Sequence, residues 1–205
     1  MSDEHQYKVI LRRFLPENYV DTAFVLLKND NVNLKITKTR NTKLGDYRPP
    51  FNGKGHRITI NGELNPFEFL ITFLHEFAHL NINKSFGNKV KPHGKEWKLE
   101  FRNLLSTVLK KDIFPTEIEE KIEKVVFSKK GFSNILIDEL RLKMGEYSKR
   151  QKILVKDLEI GTKFLLKSGR TFVLGEKRRT RYSCKEIGGH RVFSVHPLAE
   201  VVEVL

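Results

Sequence analysis

One cysteine in 205 residues, Cys184, excludes an internal disulfide and any zinc site built from several thiolates of this chain. A metal would have to be held by histidine and carboxylate. Long apolar runs are missing too. None approaches the ~20 residues that a membrane-spanning helix needs, so no membrane partner is expected. The opening MSDEHQYKVI is acidic and then mixed, unlike a signal peptide, and the expected location is cytoplasmic. No internal repeat and no low-complexity tract is visible. Acidic residues are few against basic ones: 25 Asp and Glu face 38 Lys and Arg, a net charge of +13. Such an excess favours polyanions, nucleic acid first and anionic membrane surface second; the plainer reading is a solvated, lysine-rich surface.

With 39% hydrophobic residues, the chain can build one sizeable core and a small second unit. Residues 1–150 carry the motifs, with 113–150 as a helical extension or linker. Residues 151–205 form a β-rich, basic module. Phe14, Leu15, Tyr19, Ala23, Leu26 and Leu27 fall at helical spacing. Val32, Leu34 and Ile36 alternate as in a strand, a second strand is expected near 42–48, and Asn52-Gly53 marks a turn. Arg57 to Asn61 reads as a third strand, either an edge that pairs with substrate backbone or an ordinary core strand. Asn65, Pro66 and Glu68 then form a strong helix start. The segment FEFLITFLHEFAHLNI that follows is apolar nearly all round, the pattern of a buried helix. A polar, Gly-containing loop from Asn81 to Pro92 leads to another helix. Two more helices are expected at 116–128 and 132–148, parted by Gly131. Five short β runs after residue 160 suggest a small barrel or curled sheet.

His75-Glu76-Phe77-Ala78-His79 is an HExxH pattern. Residues four apart on a helix share a face, with Cβ atoms ~5–6 Å apart, so His75 and His79 can converge on one ion. Glu76 sits at the edge of that face, where it can hold water rather than metal. Zinc lowers the pKa of a bound water to about 7, and the carboxylate takes the proton as the water attacks a carbonyl. Burying two imidazoles and a carboxylate among Phe73, Leu74, Phe77 and Leu80 is unfavourable unless each finds a partner, and a metal answers that. Catalytic zinc usually has three protein ligands. His93, at the entry to the next helix, is the natural third; Glu96 and Glu100 compete for the place.

The strand RITIN, the run LITFLHEFAHL and the downstream HGKEW resemble the SprT-like family of zinc metalloproteases. The resemblance covers roughly residues 10–145, with its specific content in 57–101. It implies that zinc (Zn2+) is held by His75, His79 and His93, with Glu76 as catalytic base and Trp97 buttressing His93. It implies an α+β fold: zincin-like helices packed on a small antiparallel sheet, here followed by a small all-β, barrel-like C-terminal module. It also implies a protein substrate, often one bound on DNA. The cysteine-rich zinc ribbon that ends many members is absent, so nucleic-acid recognition must rest on other residues.

Lys177, Arg178, Arg179, Arg181 and Tyr182 are those candidates: four cations beside an aromatic suit phosphate and base contact. The tail holds eleven Lys and Arg against six Asp and Glu. The functional expectation is a zinc metallopeptidase acting on DNA-associated proteins. The alternatives are a nucleic-acid-binding protein with a structural metal, and a metal-dependent hydrolase of RNA. No sequence feature identifies the oxyanion stabiliser, a role that an arginine or a tyrosine such as Tyr47 could serve, and Cys184 reads as a core residue.

Overall fold

Two units, Met1–Ser148 and Lys149–Leu205, divide the chain. The computed structural model describes residues 3–38, 43–109, 111–128, 134–147 and 153–205. Residues 42, 131–133 and 148–150, which fall in an expected strand, around an expected helix start and at the expected domain boundary, lie outside the described residues. The first unit contains α1 (Asp3–Leu11), a 3-10 turn (Glu17–Tyr19), α2 (Val20–Asn29), β1 (Asn33–Thr37), β2 (Gly45–Arg48) and β3 (Arg57–Asn61). It continues with α3 (Pro66–Phe86), α4 (Lys95–Ser106), α5 (Thr116–Phe127) and α6 (Asn134–Gly145). The second unit holds a 3-10 turn (Val155–Asp157), β4 (Lys163–Leu166), β5 (Thr171–Arg178), β6 (Arg181–Glu186), β7 (Val192–Val195) and β8 (Val201–Val204). No helix among the described residues is long and apolar enough to cross a membrane.

The centre of the first unit is α3. Its start is a full capping box: the Asn65 side chain accepts from the N–H groups of Phe67 and Glu68, and Glu68 accepts from the N–H of Asn65. The Asn65 amide also donates to the Met144 carbonyl at 2.7 Å, tying α6 to the same helix end. Phe69, Leu70, Phe73, Leu74 and Ala78 are fully buried, at about 1.5–3 kcal/mol for each large side chain. A helix so enclosed is held where the surrounding elements place it. It runs to Phe86 and stops at Gly87, whose φ of +57° takes the chain out of the helix. The connection to α4 is therefore much shorter than the loop expected from Asn81 onward.

The helix read from Phe14 to Leu27 is interrupted. Phe14 and Leu15 lie in a turn, Pro16 precedes the 3-10 turn, and α2 begins only at Val20. Pro16 lacks an N–H and cannot continue the ladder from α1, itself not anticipated because its apolar stripe is weak.

The three-stranded sheet has the order β1-β3-β2. It is mixed, not antiparallel: β1 runs parallel to β3 and β2 antiparallel to it. β2 joins the far side of β3 rather than folding back on β1. Asn52 and Gly53, both at positive φ, make the tight turn at Phe51–Lys54 that returns the chain to β3.

In the second unit the strands form one antiparallel sheet in the order β7-β6-β5-β4-β8. It is not a closed barrel, because β7 and β8 remain its two edges. Register shifts at Leu165/Leu166 and within Leu174–Lys177 bend it. One face encloses Phe164, Phe172, Leu174, Val195 and Val201, and Cys184 belongs to this core.

Candidate metal centre

His75 and His79 stand one turn apart on α3, and their ring centroids are 5.1 Å apart. His93 reaches them from the turn before α4. Its Nε2 lies 3.0 Å from His79 Nε2 and 3.1 Å from His75 Nε2, and the three nitrogens all fall within 4.8 Å of one another. Tetrahedral zinc with bonds of ~2.0–2.1 Å requires N···N separations of about 3.3 Å, so the set fits such an ion closely. His93 holds φ at +58° in the turn closed by Gly94 N–H to the Lys91 carbonyl. A non-glycine residue in the left-handed region stores about 1–3 kcal/mol of strain, and here that turn aims the ring back at α3.

Trp97, one turn into α4 and 4% exposed, forms the floor. Its ring lies 4.6 Å from His75, 5.1 Å from His79 and 4.6 Å from His93, centroid to centroid. It thus packs under all three imidazoles rather than His93 alone, with the Phe101 ring behind it at 5.0 Å and tilted by 31°. Burial pushes His75 down to about 3, helped by His79, His93 and the Arg141 guanidinium of α6. Burial and His93 push His79 down to about 4, and burial lowers His93 as well. All three rings are therefore neutral near pH 7 and offer lone pairs, the form that binds a metal.

Glu76 is buried at 6% exposure. Burial, reinforced by Asp46, raises its carboxyl to about 7, against the opposing Tyr47 N–H and Lys43. The lid over it is β2. Gly45 packs on Glu76 and Thr72, and the Tyr47 backbone N–H donates to the carboxylate. The Tyr47 hydroxyl donates to Asn83 Oδ1 at 3.1 Å and lies 2.9 Å from His56 Nδ1. These contacts place the small sheet beside the metal-facing side of α3.

Glu96 and Glu100 are not part of the converging group. Glu100 instead accepts from the Asn81 amide at 2.6 Å and ties α4 to α3, and the Glu96 carboxylate lies beside Gly94. The substrate-edge reading of Arg57 to Asn61 is also corrected: β3 is central and covered on both sides, by β1 and β2. β2 is the edge strand nearest Glu76. Three residues at the site escaped the sequence reading. Asn83 carried a signal, lying four residues beyond His79 on the same helix face. Gly45 and Arg141 carried none, since only folding brings β2 and α6 to α3.

Lys177, Arg178, Arg179, Arg181 and Tyr182 gather at the β5–β6 hairpin, with Arg178 directly opposite Arg181 and Arg179 in the turn at φ +53°. The Lys177 ammonium sits 6.0 Å above the Tyr182 ring. Among the described residues none of these four cations makes an ion pair, whereas Lys167 and Arg170 pair with Glu200 and Glu186.

A helix-borne histidine pair, completed by a third histidine above an indole floor, defines an α+β protein with a candidate metal centre. The model of the SprT-like family matches residues 13–124, more than half of the chain, and the chain belongs to that family. No curated protein and no solved structure matches it.

Proposed function

We propose that the chain is a zinc-dependent metallopeptidase in which His75, His79 and His93 hold the ion and Glu76 is the general base. The observation that carries this reading is the convergence of three imidazole Nε2 atoms next to a buried carboxylate. Zinc at this position would polarise a scissile carbonyl and acidify a water molecule. Glu76, with its proton affinity raised to about 7, is matched to accept a proton from the attacking water near neutral pH and return it to the leaving amine. Trp97 holds the three rings in register. The free edge of β2, rather than β3, is the strand against which an extended substrate would pair.

The second unit supports a nucleic-acid partner, and hence a substrate protein bound to nucleic acid. Arg178 faces Arg181 across the hairpin, and like charges directly opposite each other destabilise a sheet. A phosphate backbone would relieve that repulsion.

Incubation of the zinc-loaded chain with a basic DNA-binding protein, with and without DNA, tests the reading. Cleavage that disappears in Glu76→Gln, with zinc retained, is the expected result. Cleavage of RNA and of no protein would replace the peptidase with a nuclease. Zinc binding with no hydrolysis of either substrate would make the metal structural.

A further inference from the structure

Tyr47 grips α3 at two places. Its backbone N–H donates to Glu76, and its hydroxyl donates to Asn83, seven residues and about 10 Å further along the helix axis. The hydroxyl has a single proton. With that proton given to Asn83, the Nδ1–H of His56 donates back to the phenolic oxygen, and the two rings stack at 5.9 Å with planes 23° apart. Asn83 follows His79 by one helical turn, so the latch closes just past a metal ligand. At the other end of β2, Gly45 is in contact with Thr72 and Glu76. β2 has four residues and is paired on one side only, a kind of element that opens easily without an extra tether.

The geometry points to Tyr47 as a positioning residue: its hydroxyl latches β2 to Asn83 and His56 so that its own N–H holds the Glu76 carboxylate in the orientation catalysis needs. The inference deepens the metallopeptidase reading and rests on it for its kinetic part. Tyr47 acts through Glu76; the phenol has no part in the bond-making step. Loss of the latch lets β2 lift, and Glu76 then samples orientations that do not accept the water proton. The metal ligands have their own support in Trp97 and are unaffected.

The test compares the zinc-loaded full chain with Tyr47→Phe, Asn83→Ala and the double variant. Three quantities are read: zinc content, kcat and KM on an unfolded basic protein, and hydrogen exchange of the residue 47 amide. Each single variant is expected to keep its zinc, lose kcat about tenfold with KM nearly unchanged, and exchange that amide about tenfold faster. The double variant is expected to be no worse than Tyr47→Phe, because both changes break one latch. Wild-type kcat and amide protection in Tyr47→Phe would overturn the proposal. So would a kcat loss in Tyr47→Phe that Asn83→Ala does not share, since the phenol would then act on substrate directly. If Tyr47→Phe fails to fold, Asn83→Ala alone carries the test. If the wild type cleaves no protein, the peptidase reading falls, while exchange of the residue 47 amide still decides whether the latch exists.

Discussion

A Cβ on Gly45 would stand 2.6 Å from Glu76 Oε1, closer than real Cβ contacts come, so the edge strand and the candidate base pack at a separation that only glycine allows. The same Cβ would meet Thr72 Cγ2 at 2.8 Å. Gly45→Ala must therefore displace the carboxylate or lift β2. Peptidase kcat/KM is expected to fall about 100-fold, with zinc content unchanged. Steady-state kinetics alongside metal analysis checks this, and an alanine variant of wild-type efficiency would show that the contact yields without consequence.

Glu76 also predicts a pH effect on the metal-free protein. Its folded value of about 7 lies above its ordinary value of 4.5, so the neutral form is the one the fold favours. That contribution is fully present below 4.5 and is lost as pH rises through 7. Both proteins gain stability with pH from the three depressed histidines, so the expectation is a difference: relative to Glu76→Gln, metal-stripped wild type should lose on the order of 3 kcal/mol between pH 4.5 and 8. Urea denaturation of both proteins across this range measures it. Parallel pH curves would show that the carboxylate is solvated after all.

Of the three candidate ligands, His93→Ala removes the one that does not lie on α3. Two imidazoles on one helix bind zinc far less tightly than three, and a loss of more than about 100-fold in affinity is expected. Zinc should raise the melting temperature of the wild type and leave that of His93→Ala almost unmoved. Equal shifts in the two proteins would mean that the metal binds elsewhere.

Replacing Arg178, Arg179 and Arg181 together by alanine should weaken binding to DNA and make the log–log salt dependence shallower by about 3. Since Arg178 and Arg181 repel across the hairpin, stability in the absence of nucleic acid should hold or rise slightly. Titrations over a salt series, paired with thermal melts, read both effects. An unchanged salt slope would remove the hairpin from the interface.

Much of the site was legible because it is local. The spacing of His75 and His79 and the box made by Asn65 and Glu68 depend only on helical periodicity and on hydrogen bonds three or four residues long. The near-continuous apolar run from Phe67 to Leu80 announced a buried helix for the same reason. His93 was reachable by inference, though its ring meets the others only through a left-handed turn that composition does not reveal.

What the sequence by itself determined is the identity of the converging groups: three imidazoles, one carboxylate beside them, and a helix too apolar to lie anywhere but inside. Tertiary structure alone decided which strand is the edge, which glycine covers Glu76, and where Tyr47 and Arg141 stand. Strand periodicity records which face of a strand is buried and is silent about its neighbours. Pairing of β3 between β1 and β2 is a choice among chain segments far apart in sequence, and it is settled by the packing of β2 and β3 against α3.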